Sequence, residues 1–265
     1  MPRRVEVNIK NHVAEVLLNR PEKLNALDMA FFRELSDVGE SLKARDDVRV
    51  VILSGSGDNF CAGIDLQSLQ SELSKPEVFA EKALILPEGE VANYFQKPAH
   101  VWQQLRVPVI AALRGVAFGG GCQIALAADI RFAAPTTRLS VMEIKWGIIP
   151  DMGISQSLQK LVRDDVAREL VYTGREVSAD EAQQLGLISH ISDEPLEAAR
   201  QMAATIVAKN PDAVRACKTL LDQVPLLSVA EGLKLEAQLQ STVLGRPNQV
   251  EAVRANMEKR KPVFS

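Results

Sequence analysis

The chain has 265 residues, of which 46% are apolar and 25% are charged, and its formal net charge is −3. This balance is typical of a globular protein with a sizeable core, and it disfavours a nucleic-acid-binding protein that works through a broad basic face. The three cysteines predict neither a disulfide framework nor a zinc site. Because no apolar stretch reaches the length of a membrane span and the first residues lack the apolar core of a signal peptide, we expect a cytoplasmic protein without membrane or nucleic-acid partners.

Short strands and one helix are predicted at the start of the chain. Residues 5–9 alternate apolar and polar side chains, which predicts a half-buried strand, and residues 12–18 are predicted to be its hairpin partner across a polar turn. Asp28 is expected to cap a helix over residues 29–44. The β-branched residues 48–53 predict a buried strand.

The middle of the chain predicts further strands around a long excursion. Residues 68–99 lose the periodic pattern and predict a helix-and-loop excursion over the site. Residues 109–113 predict another buried strand, and the triple glycine at 119–121 precedes an apolar run that suits a helix. Residues 130–133 and 139–141 predict short strands. The alternation of strands and helices indicates an α/β fold with a parallel sheet.

The last third of the chain has helical periodicity and no convincing strand. The helical segments are residues 181–185, 196–209, 211–221 and 228–244. We therefore divide the chain into an α/β core over residues 1–194 and a helical region over residues 195–265. The last helices have apolar faces that a monomer covers poorly, which predicts a homo-oligomer; examples are Val229, Leu233, Leu235 and Leu239.

Two glycine-containing segments are candidates for binding a negative oxygen. At Gly119–Gly121 the backbone can approach a ligand closely, and a helix that begins there directs free N–H groups toward the same place. From the glycines alone, a tight packing turn is the simpler interpretation. The segment 62–66 can place the Ile64 N–H beside a ligand, although alone it is an ordinary turn. The spacing fits neither a phosphate loop nor a dinucleotide loop.

Two carboxylates stand out in an otherwise apolar and aromatic stretch. Glu143 and Asp151 lie on either side of residues such as Trp146. Apolar surroundings disfavour the charged form of a carboxylate and make it a useful proton donor or acceptor near neutral pH. Two such groups can relay a proton between two carbons. The alternative, in which each acid pairs with an arginine or caps a turn, stays open.

Several segments have a characteristic order and spacing. They are residues 19–26, 62–66, 108–112 with the following glycines, 128–131 and 174–188. Together they resemble the enoyl-CoA hydratase/isomerase family, or crotonase superfamily, over nearly the whole chain. The resemblance implies a crotonase-like spiral core of ββα units and a helical C-terminal trimerisation region. It also implies a homotrimer or a hexamer built as a dimer of trimers.

The resemblance also implies the substrate and the residues that hold it. Members of this family bind an acyl-CoA thioester and stabilise its enolate with two backbone N–H groups, which match Ile64 and Gly120 here. The residues expected to contact the substrate or coenzyme A are Lys23, Leu24, Ala26, Ala62, Asp65, Leu66, Phe118, Gly119 and Gln123. No metal or cofactor is expected, because coenzyme A enters as part of the substrate.

The acidic positions distinguish the activities within the family. Hydratases typically carry two glutamates, of which the second matches Glu143 and the first falls on Gln123, which cannot take up a proton at neutral pH. In dienoyl-CoA isomerases the important acids match Glu143 and Asp151, and a further aspartate matches Gln123. The resemblance therefore favours an acyl-CoA double-bond isomerase with Glu143 and Asp151 as proton shuttles. A 2-enoyl-CoA hydratase is the main alternative, followed by an acyl-CoA hydrolase and a non-catalytic CoA-binding protein.

Overall fold

The computed structural model describes residues 3–72 and 83–265. Residues 73–82, within the predicted excursion at 68–99, lie outside the described residues. The described strands are β1 (Val5–Lys10), β2 (Val13–Leu18), β3 (Val50–Gly55), β4 (Val109–Leu113), β5 (Val116–Phe118), β6 (Ile130–Ala133), β7 (Arg138–Ser140), β8 (Val177–Ser178) and β9 (His190–Ile191).

The strands form two sheets. The larger has the order β1-β2-β3-β4-β6-β9, and its neighbours are parallel except for the antiparallel pair β1 and β2. The smaller has the order β5-β7-β8, with β5 and β7 parallel. The predicted hairpin and parallel sheet are confirmed.

The described α-helices surround the sheets and make up most of the C-terminal third. They are α1 (Met29–Lys43), α2 (Leu66–Glu72), α3 (Lys97–Gln103), α4 (Gly120–Leu126), α5 (Leu158–Leu161), α6 (Asp164–Thr173), α7 (Ala179–Leu185), α8 (Pro195–Val207), α9 (Pro211–Gln223), α10 (Val229–Val243) and α11 (Pro247–Met257). Asp28 caps α1 as predicted, because its side chain accepts a hydrogen bond from the Phe31 N–H. No helix in the described ranges is long and apolar enough to cross a membrane.

The central strands are buried on both faces, which explains their continuous apolar sequences. On one face, Val50 and Ile52 of β3 pack with Ala199 and Ala203 of α8. The opposite face, represented by Val51, belongs to the main core. Helix α8 begins at the predicted boundary of the helical region and covers the sheet, whereas the division of the chain at residue 194 stays a prediction.

Some elements differ from those that the sequence pattern predicts. Strands β8 and β9 have two residues each, too few for an alternating pattern to be visible. Helices α6 and α11 are also absent from the predicted elements, although α6 buries the apolar face of Val166, Ala167 and Leu170. Helix α11 buries only Asn248 and Ala255, so its own sequence shows no apolar stripe.

Candidate functional site

Two backbone segments, residues 61–64 and residues 117–120, run side by side at the centre of the candidate site. The Phe118 N–H donates to the Cys61 carbonyl at 2.9 Å. Gly63 lies so close to the second segment that a Cβ there would be 2.7 Å from the Phe118 oxygen and 3.5 Å from the Gly120 nitrogen. The φ of Gly63 is +89°, which also favours glycine. This close approach brings the Ile64 and Gly120 amides into one region.

The amide of Ile64 is left free by the bridge that holds its loop. Leu27 pairs with Ile64 in a parallel bridge, in which the Leu27 N–H donates to Gly63 and the Asp65 N–H donates to Leu27, at 2.8 and 2.9 Å. Both bonds use the neighbours of Ile64, so its own N–H points to the opposite side. No other described residue accepts a hydrogen bond from this N–H.

The second free amide lies where α4 begins. Gly119 precedes the helix with a φ of +50°, and its N–H donates to Ser140 at 2.9 Å. Gly120, the first helical residue, has no backbone acceptor for its N–H within the described part of the chain. A Cβ on Gly120 would lie 2.6 Å from the Met152 sulfur, so this surface is packed. The predicted substrate contacts of Phe118 and Gly119 stay predictions.

Glu143 lies against this glycine turn. It begins a 3-10 turn, Glu143–Trp146, and is 7% exposed. Its Oε1 accepts a hydrogen bond of 2.6 Å from Gln123 Nε2. A Cβ on Gly119 would be 3.4 Å from the same oxygen. Glu143 Oε2 is buried and has no hydrogen-bond partner among the described residues, so the site holds a carboxyl oxygen that is available to a ligand.

Gln123 connects Glu143 to the segment that carries Asp151. The side chain of Gln123 is 1% exposed. Its Oε1 accepts a hydrogen bond of 2.8 Å from the Met152 N–H, the residue directly after Asp151. The structure therefore brings both predicted acids to one place. Gln123 bonds to Glu143 and to the residue after Asp151, and the predicted contact of Gln123 with substrate stays a prediction.

Both acids have raised pKa values. Burial is the main cause that raises the pKa of Glu143, and the nearby charge of Asp151 adds to it, against hydrogen bonds from the Glu143 backbone and from Gln123. Burial likewise raises the pKa of Asp151. Neither acid interacts with an arginine or lysine in the described ranges. The alternative of arginine pairing is thus not observed, and both groups suit proton transfer.

The residues predicted to contact coenzyme A lie on two adjoining loops. The Ala62 N–H donates to the Leu24 carbonyl at 3.0 Å, and Lys23 Nζ donates to Gln67 Oε1 at 3.4 Å. Leu24 is 49% exposed and has a φ of +52°. The loops also carry Ala26, Asp65 and Leu66, and all their contacts with coenzyme A stay predictions.

Two residues that hold these loops had no role assigned from the sequence. Arg20 Nη1 lies 2.7 Å from Asp65 Oδ2, and Arg20 also donates to the Ala26 carbonyl at 2.9 Å. Burial acts to raise the pKa of Asp65, but Arg20 holds it below its usual range. Asn25 is fully buried and donates to the Asn59 carbonyl at 2.7 Å. Both residues lie in the 19–26 motif, which was the only signal for them.

Large apolar side chains between the two acids are exposed. Trp146 and Ile148 are each 46% exposed, and Ile149 is 75% exposed. They follow Glu143 on the same turn and the loop after it. In the described ranges, no group of three or more His, Cys, Asp or Glu side chains is arranged to hold a metal ion. The surroundings of the acids therefore suit an apolar substrate.

Comparisons with protein families and curated proteins agree on one family. A family model described as enoyl-CoA hydratase/isomerase matches residues 8–265. Putative enoyl-CoA hydratase/isomerase YngF of Bacillus subtilis is 35% identical over 260 residues, which cover 97% of this chain and 96% of that protein. Mitochondrial Delta(3,5)-Delta(2,4)-dienoyl-CoA isomerase of Mus musculus is 35% identical over 255 residues, 95% of this chain and 78% of that protein. Probable enoyl-CoA hydratase echA8 of Mycobacterium bovis is 33% identical over 258 residues, 96% and 94% of the two chains.

Solved structures agree with the predicted fold. An enoyl-CoA hydratase from Bacillus anthracis has a TM-score of 0.88 and 32% identity, with 98% of each chain covered. A putative enoyl-CoA hydratase/isomerase from Mycobacterium abscessus has a TM-score of 0.90 and 28% identity, with 98% of this chain and 99% of that chain covered. The predicted α/β fold with a crotonase-like core and a helical C-terminal region is confirmed.

Proposed function

Because the chain belongs to the enoyl-CoA hydratase/isomerase family, we propose that it is an acyl-CoA double-bond isomerase that acts on an enoyl-CoA or dienoyl-CoA thioester. Relatives named isomerase and relatives named hydratase are 35% and 33% identical to it, so identity does not distinguish the two activities. The observation that carries the proposal is the arrangement of Glu143 and Asp151 around Gln123. Two half-buried or buried acids with raised pKa values, and an uncharged amide bonded to Glu143 and to the residue after Asp151, support proton transfer by both acids.

The thioester oxygen is proposed to bind the amides of Ile64 and Gly120. When a proton leaves the acyl chain, negative charge moves to this oxygen, and two preorganised N–H donors stabilise it without having to reorient. The loss of one such donor typically costs about 3 kcal/mol of barrier. Coenzyme A is proposed to lie along the adjoining loops 23–27 and 62–66.

The double bond moves by two proton transfers. One acid begins deprotonated and takes a proton from a carbon of the acyl chain, and the electron pair of that C–H bond forms an enolate conjugated with the double bonds of the chain. The other acid begins protonated and gives its proton to a different carbon, which restores the neutral thioester with its double bond displaced. The raised pKa values of Glu143 and Asp151 support this assignment, because each group then holds a proton more readily than a carboxyl in water does. Exchange with solvent resets the two acids.

A hydratase acting on 2-enoyl-CoA is the second candidate, favoured by the relatives and solved structures named hydratase. Such an enzyme needs to hold and activate a water molecule. The side-chain oxygen of Gln123 and one N–H of its side-chain amide already make hydrogen bonds within the protein, and the residue is 1% exposed. Position 123 therefore supplies no second glutamate to act on water with Glu143, which makes this candidate the weaker one.

The test is a substrate panel in heavy water. The purified protein is incubated with 2-enoyl, 3-enoyl and 3,5-dienoyl thioesters of several lengths, and mass spectrometry locates deuterium and any added oxygen in the products. Isomerisation with deuterium at the carbons that exchange protons is expected. Efficient hydration of 2-enoyl-CoA without any double-bond shift would replace the isomerase proposal with the hydratase.

A further inference from the structure

Gln123 makes both of its strong contacts with the elements that carry the two acids. Its Nε2 donates to Glu143 Oε1 at 2.6 Å, and its Oε1 accepts from the Met152 N–H at 2.8 Å. We propose that Gln123 is a positioning residue that fixes Glu143 and the Asp151 segment relative to each other. This inference deepens the proposed isomerase function and rests on it.

The bond to Glu143 determines which carboxyl oxygen is free. Both side chains are nearly inaccessible, with exposed fractions of 1% for Gln123 and 7% for Glu143. A hydrogen bond between them is strong in such surroundings, because little water competes for it. It occupies Oε1 and leaves Oε2 as the unpartnered oxygen among the described residues. Glu143 therefore exchanges its proton through Oε2, in a rotamer that Gln123 maintains.

The bond to Met152 holds a segment with little regular structure. Residues 147–153 begin and end with glycines of positive φ, +71° at Gly147 and +83° at Gly153. Ile148 and Ile149 within this segment are exposed, whereas Met152 is 5% exposed and packs in the main core. Packing therefore holds the segment at Met152, and the hydrogen bond from the Met152 N–H to Gln123 fixes the backbone next to Asp151. Without it, the distance between the two acids is less well defined.

An amide at this position supplies a donor without adding a charge. The titratable groups that act on Glu143 are Asp151 and the Cys122 thiol, and burial raises the pKa of Cys122 so that it stays neutral. Helix α6 also packs against the turn of Glu143, and its charged Arg168 and Asp164 pair with each other at the surface. A carboxyl at position 123 removes the donor and brings a third acid, and either effect raises the pKa of Glu143.

The experiment compares two variants with a matched control. Gln123→Met keeps the side-chain length and removes both hydrogen bonds. Gln123→Glu keeps an acceptor for the Met152 N–H but loses the donor to Glu143. Thr137→Val is the control, because Thr137 is 1% exposed and donates a buried hydrogen bond of 3.2 Å to the Leu113 carbonyl, outside the site. Circular dichroism and thermal melting establish that each variant is folded.

The first readout is independent of activity. The carboxyl of Glu143 is titrated by NMR in protein labelled with ¹³C at the glutamate side chains, and its signal is assigned by its loss in Glu143→Gln. In Gln123→Glu the ionised carboxyl at position 123 faces Glu143 in place of the amide donor, so we expect the upper apparent pKa of the pair to lie about one unit or more above the wild-type pKa of Glu143. We expect no shift in Thr137→Val. An unchanged titration in Gln123→Glu overturns the inference whatever reaction the protein catalyses.

The second readout is kinetic. In Gln123→Met we expect kcat to fall roughly 10-fold to 100-fold, the scale of a misplaced reacting group, with KM changed by less than about 3-fold. The ratio of deuterium at the two carbons should also change, since Asp151 loses its anchor. A kcat within about 2-fold of wild type in Gln123→Met contradicts the inference alone. Failure of the wild-type protein to shift any double bond contradicts the proposed function instead.

Discussion

The proposed proton transfer uses two carboxyls, Glu143 and Asp151, whose pKa values are both raised mainly by burial. Glu143 and Asp151 are both withdrawn from solvent, and neither is neutralised by a basic partner in the described ranges. Such a pair is costly for folding, since charge is disfavoured at both positions. The cost is consistent with a functional role for the pair rather than a structural one.

Removing either acid should stop the reaction and leave binding largely intact. In Glu143→Gln and Asp151→Asn, kcat is expected to fall roughly 100-fold or more, the usual scale for positioned acid–base groups. KM should change far less, because the thioester is proposed to bind the backbone amides of Ile64 and Gly120 rather than the acids. Steady-state kinetics on the best substrate of the panel measures both. If Asp151→Asn retains full isomerisation while Glu143→Gln has none, the mechanism is reduced to a single base that carries the proton between the carbons.

The raised pKa of Glu143 also has a consequence for stability. A folded-state pKa above the usual value of 4.5 means that the folded protein binds the proton more tightly than the unfolded chain. The stabilisation is complete below that usual value and is lost as pH rises through the raised pKa. Relative to Glu143→Gln, the wild-type protein should therefore lose unfolding free energy over this pH range. Urea denaturation at several pH values measures it, and a difference that stays constant with pH would contradict this prediction.

At the scale of elements, the site depends on a loop and a helix start that approach without an intervening side chain. Gly63 allows this approach in two ways. Its φ is positive, and it leaves room for the Phe118 carbonyl, which an added Cβ would contact at 2.7 Å. In Gly63→Ala we expect a loss of about 1–3 kcal/mol of stability and a large fall in kcat, because the Ile64 amide is displaced. Gly245→Ala is the control, since Gly245 has a φ of +74° with nothing within 4 Å of its added Cβ. Equal losses of kcat in the two variants would show that the close approach is unimportant.

The sequence predicts elements whose own residues determine them. Strand β3 begins with four consecutive apolar residues and α1 has a capping Asp28 and an apolar stripe, so both are predicted correctly. The two-residue strands β8 and β9 exist because neighbouring strands offer them partners, which no local pattern records. In the site, the two acids are predicted correctly as candidates because carboxyls in an apolar stretch stand out in the sequence. The hydrogen bond between the Gln123 side chain and the Met152 N–H joins residues 29 positions apart and uses a backbone donor, so no sequence pattern indicates it.

At the scale of the whole molecule, the C-terminal helices leave an apolar groove. It lies between α9 and α10, has a volume of about 520 Å³ and is lined by residues that include Cys217, Leu220 and Leu233. Large apolar side chains elsewhere on these helices are also exposed, among them Leu221 at 72% and Val229 at 82%. An apolar surface of this kind is typical of a face that another subunit covers.

We therefore expect a homotrimer or a hexamer in solution. Leu233→Glu places a charge in the groove and should lower the oligomeric state, because burying that charge without a partner is unfavourable. Light scattering after size-exclusion chromatography measures the mass of both proteins. The exposed Lys234→Glu change on the same helix is the control. A monomeric mass for the wild-type protein at micromolar concentration would reject the prediction.

The two tryptophans differ in solvent exposure, and this difference allows substrate binding to be followed by intrinsic tryptophan fluorescence. Trp102 is completely buried in the core, whereas Trp146 is 46% exposed on the turn that begins with Glu143. Indole emission moves to shorter wavelength when water leaves the ring, so an acyl chain that covers Trp146 should shift the emission while Trp102 contributes a constant background. Titration of Glu143→Gln with a substrate thioester measures this, and in Glu143→Gln with Trp146→Phe the shift should vanish. A shift that persists without Trp146 would place the acyl chain elsewhere.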